Sequence, residues 1–96
     1  MMVLITYDVS TQSVAGQKRL RKVARLCENY GQRVQNSVFE CLMDPHQFAE
    51  LQFQLQKIIN PETDSLRFYH LGSKWKGKVE HIGAKQGYDP EGFMMI

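Results

Sequence analysis

Arg33-Val34-Gln35-Asn36-Ser37-Val38-Phe39-Glu40-Cys41-Leu42-Met43 is the stretch that decides the fold, because it reads as one long strand or as two short ones turning at Asn36-Ser37. Its apolar members, Val34, Val38, Phe39, Cys41 and Leu42, favour strand either way. A hairpin here has very little chain in which to turn. The elements on either side of it are easier to read.

Toward the amino terminus, Val3-Leu4-Ile5-Thr6-Tyr7 is apolar, β-branched and continuous, which predicts a central strand covered on both faces. Asp8 falls at its carboxyl end. Ser10, Thr11 and Ser13 then offer helix caps. The next segment has helical period, with Gly16, Leu20, Val23, Ala24, Cys27 and Tyr30 on one face. Lys18, Arg21, Lys22 and Arg25 gather opposite, and Gly31 is placed as the helix stop. Arg19 lies beside Leu26 at the border of the apolar stripe, from where it can reach the sheet edge that carries Asp8.

Toward the carboxyl terminus, Asp44-Pro45 with Gln47 forms a capping box. The helix it starts turns Phe48, Leu51, Leu55, Ile58 and Ile59 inward and stops at Asn60-Pro61. Ser65 to Leu71 reads as a strand, Gly72 to Lys78 as a lysine-rich turn, and Val79 to Ile82 as a short strand. Phe93-Met94-Met95-Ile96 is an apolar end that would dock on its own sheet or a partner's. With a hairpin at Asn36-Ser37 the order is strand, helix, strand, strand, helix, strand, strand. That order predicts an α+β, ferredoxin-like two-layer sandwich of two helices on an antiparallel sheet.

Ninety-six residues make a single domain, with a core over about 1–83 and a tail, 84–96, for dimer or partner docking. A chain this short buries only about two-thirds of its unfolded surface, so pairing with a second copy would help it. The apolar run Met2 to Ile5 is too short for a signal or a membrane span. Cys27 and Cys41 lack Cys-x-x-Cys spacing and read as reduced core residues of a cytoplasmic protein. Net charge is only +2, but its distribution is uneven. Val14–Val34 carries six cations against one acid, Asn36–Leu66 one cation against five acids, and Arg67–Lys85 five cations against one acid. Bringing the first and third blocks together would create a basic face suited to a phosphate backbone, although charge runs are more often simply solvated.

Asp8 is the leading candidate for chemistry. A carboxylate at the end of a buried strand suits a metal ligand, and it equally suits a helix cap. Mg²⁺ or Mn²⁺ wants about six oxygen ligands, whereas this stretch offers one carboxylate. A two-fold axis past Asp8 would supply the second. Gly72 to Lys78 matches the start of a phosphate-binding loop, but Val79 stands where Ser or Thr must hold Mg²⁺. Lys74, Lys76 and Lys78 around Trp75 better suit gripping a nucleic-acid backbone, or a solvated turn. His46, His70 and His81 have no ligand spacing, and nothing marks Ser10 or Ser37 as an activated nucleophile.

Val3 to Val9, then Lys18-Arg19-Leu20-Arg21-Lys22, then Gly31 to Cys41, Asp64 to Tyr69 and Val79 to Gly83 resemble the second CRISPR-associated protein family over nearly the whole chain. The resemblance implies a ferredoxin-like homodimer whose last strand is exchanged or added across the dimer. It implies paired aspartates, here Asp8 of each copy, sharing one Mg²⁺ or Mn²⁺ at the interface. It further implies a metal-dependent endonuclease on RNA or double-stranded DNA, one that bridges integrase dimers and holds spacer DNA during CRISPR adaptation in antiviral defence. Tyr7, Arg19, Arg33 and Phe39 match positions grouped around the aspartate. On that reading Arg19 and Arg33 hold phosphate oxygens, and Tyr7 and Phe39 shape the site. Lys18, Arg21, Lys22 and Arg25, with Lys74, Lys76 and Lys78, would bind nucleic-acid backbone. Two alternatives stand beside the nuclease: a non-catalytic DNA-bridging scaffold, and an mRNA-cleaving toxin of the same fold.

Overall fold

Gly31–Gln35 (β2) and Val38–Leu42 (β3) form a hairpin in the computed structural model, which describes residues 1–72 and 79–84. The turn is Asn36-Ser37 alone. It is possible because the register shifts by one residue between Arg33 and Gln35, a bulge that takes up Val34. Gly31 is not the helix stop. The first helix, Val14–Glu28 (α1), is capped at its end by Asn29. Gly31 opens β2 instead, where an added Cβ would lie 1.9 Å from the carbonyl oxygen of Glu40. Close approach of β3, not a left-handed turn, requires the glycine.

Met2–Asp8 (β1), Ser65–Leu71 (β4) and Val79–Gly83 (β5) complete an antiparallel sheet of order β2-β3-β1-β4-β5. The second helix, Pro45–Ile58 (α2), starts with the expected capping box between Asp44 and Gln47. β5 pairs with β4 of its own chain. Residues 85–96, the tail expected to dock on a dimer or a partner, lie outside the described residues, as do Lys74, Trp75, Lys76 and Lys78. Among the described residues no helix is long and apolar enough to cross a membrane.

Both helices cover one face of the sheet. Val3, Ile5 and Tyr7 of β1, Phe39 and Cys41 of β3, and Leu66 and Phe68 of β4 pack there against Val23 and Cys27 of α1 and Phe48, Leu51 and Leu55 of α2. Phe48 meets the rings of Phe68 and His70 edge-on at 5.4 and 5.0 Å. β1 was expected to be covered on both faces, and this is where the structure differs: Met2, Leu4 and Thr6, on the opposite face, are only half-buried. The apolar character of both sides of β1 is real, but a single chain has just two helices to offer.

Candidate functional site

One end of the molecule collects the end of β1, the Asn36-Ser37 turn, the start of β4 and the end of β5. Asp8 is exposed there, on the face the helices leave open, paired in register with Ser65. The amide N–H of Tyr7 donates to the carbonyl of Ser37 at 2.9 Å, which ties the hairpin turn to the residue before Asp8. On the same open face Thr6 pairs with Arg67, and Arg67 with His81. The Ser65 hydroxyl lies 3.0 Å from His81 Nε2. Burial, and then the charge of Arg67, lower the pKa of His81 and favour its neutral ring.

Behind Asp8, on the helix face, stands a carboxylate that spacing did not reveal. Asp64 is fully buried. Its carboxylate accepts from the Tyr7 hydroxyl (2.5 Å), Arg19 Nε (2.8 Å) and Nη2 (3.3 Å), the Asn60 amide (3.0 Å) and the Thr63 hydroxyl (3.1 Å). Burial alone would raise its pKa, but the hydrogen bonds from Arg19, Tyr7, Asn60 and Thr63 outweigh this and hold the carboxyl below its ordinary range. Burial first, and then the bond to Asp64, push the Tyr7 phenol well above its usual pKa, so it stays a donor. The signal in the sequence was Arg19: a cation at the border of an apolar stripe needs a carboxylate, and Asp64 precedes a buried strand.

The four residues expected around Asp8 thus lie on the helix face, away from it. Tyr7 and Arg19 point to the helix side and meet on Asp64. Phe39 is fully buried beneath the hairpin, and the Arg33 guanidinium lies 5.8 Å from its ring centroid while Nε donates to the Asn36 carbonyl. Lys18, Arg21, Lys22 and Arg25 are exposed on α1. Arg67, the cation of the third charge block that is described, stands across the sheet from them, so it does not extend the α1 surface. Cys27 and Cys41 are buried free thiols; contact between them, then burial, raises the Cys27 pKa.

Among the described residues, no three His, Cys, Asp or Glu side chains converge on a point that could hold a metal ion. Asp8 is a hard oxygen donor of the kind Mg²⁺ and Mn²⁺ take, in an exposed position. One such carboxylate supplies one or two of the about six oxygen ligands these ions take.

A profile of the family described as CRISPR associated protein Cas2 matches residues 1–79. A protein of Halalkalibacterium halodurans named CRISPR-associated endonuclease Cas2 is 62% identical over 95% of this chain and 95% of its own. One of Nitratidesulfovibrio vulgaris named CRISPR-associated endoribonuclease Cas2 is 55% identical over 100% of this chain and 94% of its own. The crystal structure of Streptococcus pyogenes Cas2 at pH 6.5 superposes with a TM-score of 0.75 at 59% identity, covering 79% of this chain and 92% of that one. The likeness spans the β1 aspartate, the bulged hairpin and both helices, and the chain belongs to the Cas2 family of CRISPR-associated proteins.

Proposed function

We propose that the chain is a divalent-metal-dependent endonuclease that works as a homodimer in CRISPR adaptation, cutting RNA or double-stranded DNA. The carrying observation is the position of Asp8, exposed at the end of a strand whose open face also presents Met2, Leu4, Val38, Leu42 and Leu71. An apolar sheet face with no helices over it is suited to packing on a second copy. A two-fold axis near the β1 end would bring two Asp8 carboxylates together, the donor set a shared Mg²⁺ or Mn²⁺ needs. Such an ion, when bound, polarises the scissile phosphate and lowers the pKa of an attacking water.

The chain's own groups supply the rest. Lys18, Arg21, Lys22 and Arg25 attract the phosphate backbone without regard to sequence. Arg33, held by Phe39 and the Asn36 carbonyl, offers a fixed cation beside the hairpin turn. The α1 surface would also hold spacer DNA as the dimer bridges integrase subunits. The names of the relatives support cleavage, two naming an endoribonuclease or endonuclease. Asp8→Asn keeps the shape and removes two charges per dimer. It should abolish Mg²⁺- or Mn²⁺-dependent cleavage while mass by light scattering and DNA affinity stay unchanged. Cleavage that survives refutes the Asp8 mechanism, and an unmodified protein that bridges DNA without cutting it is a scaffold.

A further inference from the structure

Asp64 is used by nothing in that mechanism, yet its carboxylate receives five hydrogen bonds. Its carboxylate joins three elements: β1 through the Tyr7 hydroxyl, α1 through Arg19, and the α2–β4 connection through the Asn60 amide and Thr63 hydroxyl. Its backbone joins a fourth. The Ala84 amide donates to the Asp64 carbonyl at 2.8 Å, and Gly83, at φ 118°, passes so close that a Cβ would lie 2.2 Å from that oxygen. Only glycine meets both demands. The two residues that flank Asp8 in chain and in register are thereby held from one point. Tyr7 precedes Asp8, and Ser65, its partner across the ladder, follows Asp64.

We infer that Asp64 is a positioning residue for Asp8: through Tyr7 and Ser65 it sets where the β1 carboxylate stands relative to its copy across the dimer axis. The inference rests on the metal-nuclease reading of Asp8. Two carboxylates sharing one ion must be held within about 0.5 Å, and the ends of elements open locally unless something ties them. A neutral amide at 64 keeps one accepting oxygen, loses the charge that pairs with the guanidinium, and turns an NH2 toward groups that now donate to it. Arg19, on this account, supports the site by balancing Asp64 from behind and does not touch substrate.

The test uses the full-length protein with Asp64→Asn and Tyr7→Phe, and Asp44→Ala at the α2 cap as a control destabilised away from the site. Three quantities are read at a temperature where each protein is folded by circular dichroism: kcat and KM for a duplex, and Mn²⁺ affinity by electron paramagnetic resonance. Asp64→Asn should lower kcat and Mn²⁺ affinity, each by about 10–100-fold, the range seen when support behind a metal ligand is lost. KM should stay within about twofold, since the α1 cations are untouched. Tyr7→Phe should move both quantities the same way by less, and Asp44→Ala should move neither. Wild-type kcat and Mn²⁺ affinity in folded Asp64→Asn overturn the inference. If that variant does not fold, unchanged values in Tyr7→Phe overturn it. Should the unmodified protein cut nothing, the nuclease reading fails by itself, and Mn²⁺ affinity decides the role of Asp64. Mn²⁺ binding that Asp8→Asn leaves unaltered would remove both.

Discussion

The two faces of the sheet are built from the same strands and treat water in opposite ways. On the helix side of β1, Val3, Ile5 and Tyr7 are at most 1% exposed, whereas Met2, Leu4 and Thr6, interleaved with them, are half-buried and Asp8 is exposed. The helix side is closed even for polar groups: Asp64 is satisfied by five donors there, and His70 sits in the core against Phe48 with Glu80 as its partner. The open side sets Asp8, Ser65, Arg67 and His81 beside leucines and methionine. A finished core carries the fold, then, and an unfinished face presents Asp8, with buried Asp64 behind it at the end of β1.

That contrast is broken most severely by Phe68→Ala on the closed side. Phe68 is fully buried against Phe48, and its loss should cost about 3–5 kcal/mol, read as a fall in denaturation midpoint at every protein concentration. Leu4→Lys, one strand away on the open side, should cost the single chain about 1 kcal/mol. Its larger effect should be on mass, with the dimer lost at micromolar concentration. Equal, concentration-independent losses from both would mean that the open face has no partner.

Acid sharpens the same comparison by a smaller amount. The Asp64 pKa is lowered in the fold, so the unfolded chain takes up the proton first as pH falls. The stabilisation is complete above the ordinary aspartate pKa of about 3.9 and is lost as pH drops through the folded value. Thermal midpoints of the unmodified protein should therefore fall between about pH 5 and 3. Asp64→Asn should start lower at pH 6 and lose less across that window. A parallel slope in the variant would show that Asp64 is not the group being titrated.

The smallest expected effect is on the open face. His81 has a lowered pKa, set by burial and then by Arg67, so its neutral form is favoured in the fold. As pH falls through 6.5 the unfolded chain binds the proton more readily, and stability declines. His81→Gln should flatten that decline in denaturant midpoints measured from pH 8 to 5.5, and an identical profile would dismiss His81 as its source.

Local chemistry made much of this legible. The capping box at Asp44 and Gln47, the apolar stripe of α1 and the placing of Asp8 at a strand end follow from residue types at short spacing, and the structure agrees with each. Gly31 misled because a glycine after a helix signals a stop, whereas here it answers to Glu40, nine residues on. Asp64 was missed for the same reason: Tyr7, Arg19 and Asp64 are separated by up to 57 residues.

The sequence by itself determined the α2 capping box, the apolar faces of both helices, the family, and the candidacy of Asp8, since these depend on period, capping and short motifs that act within a few residues. Only the tertiary structure decided that Arg33 to Met43 turns at a bulge, that β5 lies on β4 of its own chain, and that Tyr7 and Arg19 face away from Asp8 to share Asp64. Strand register and the pairing of buried charges are settled by which distant segments exclude water together, and no short stretch of chain contains that information.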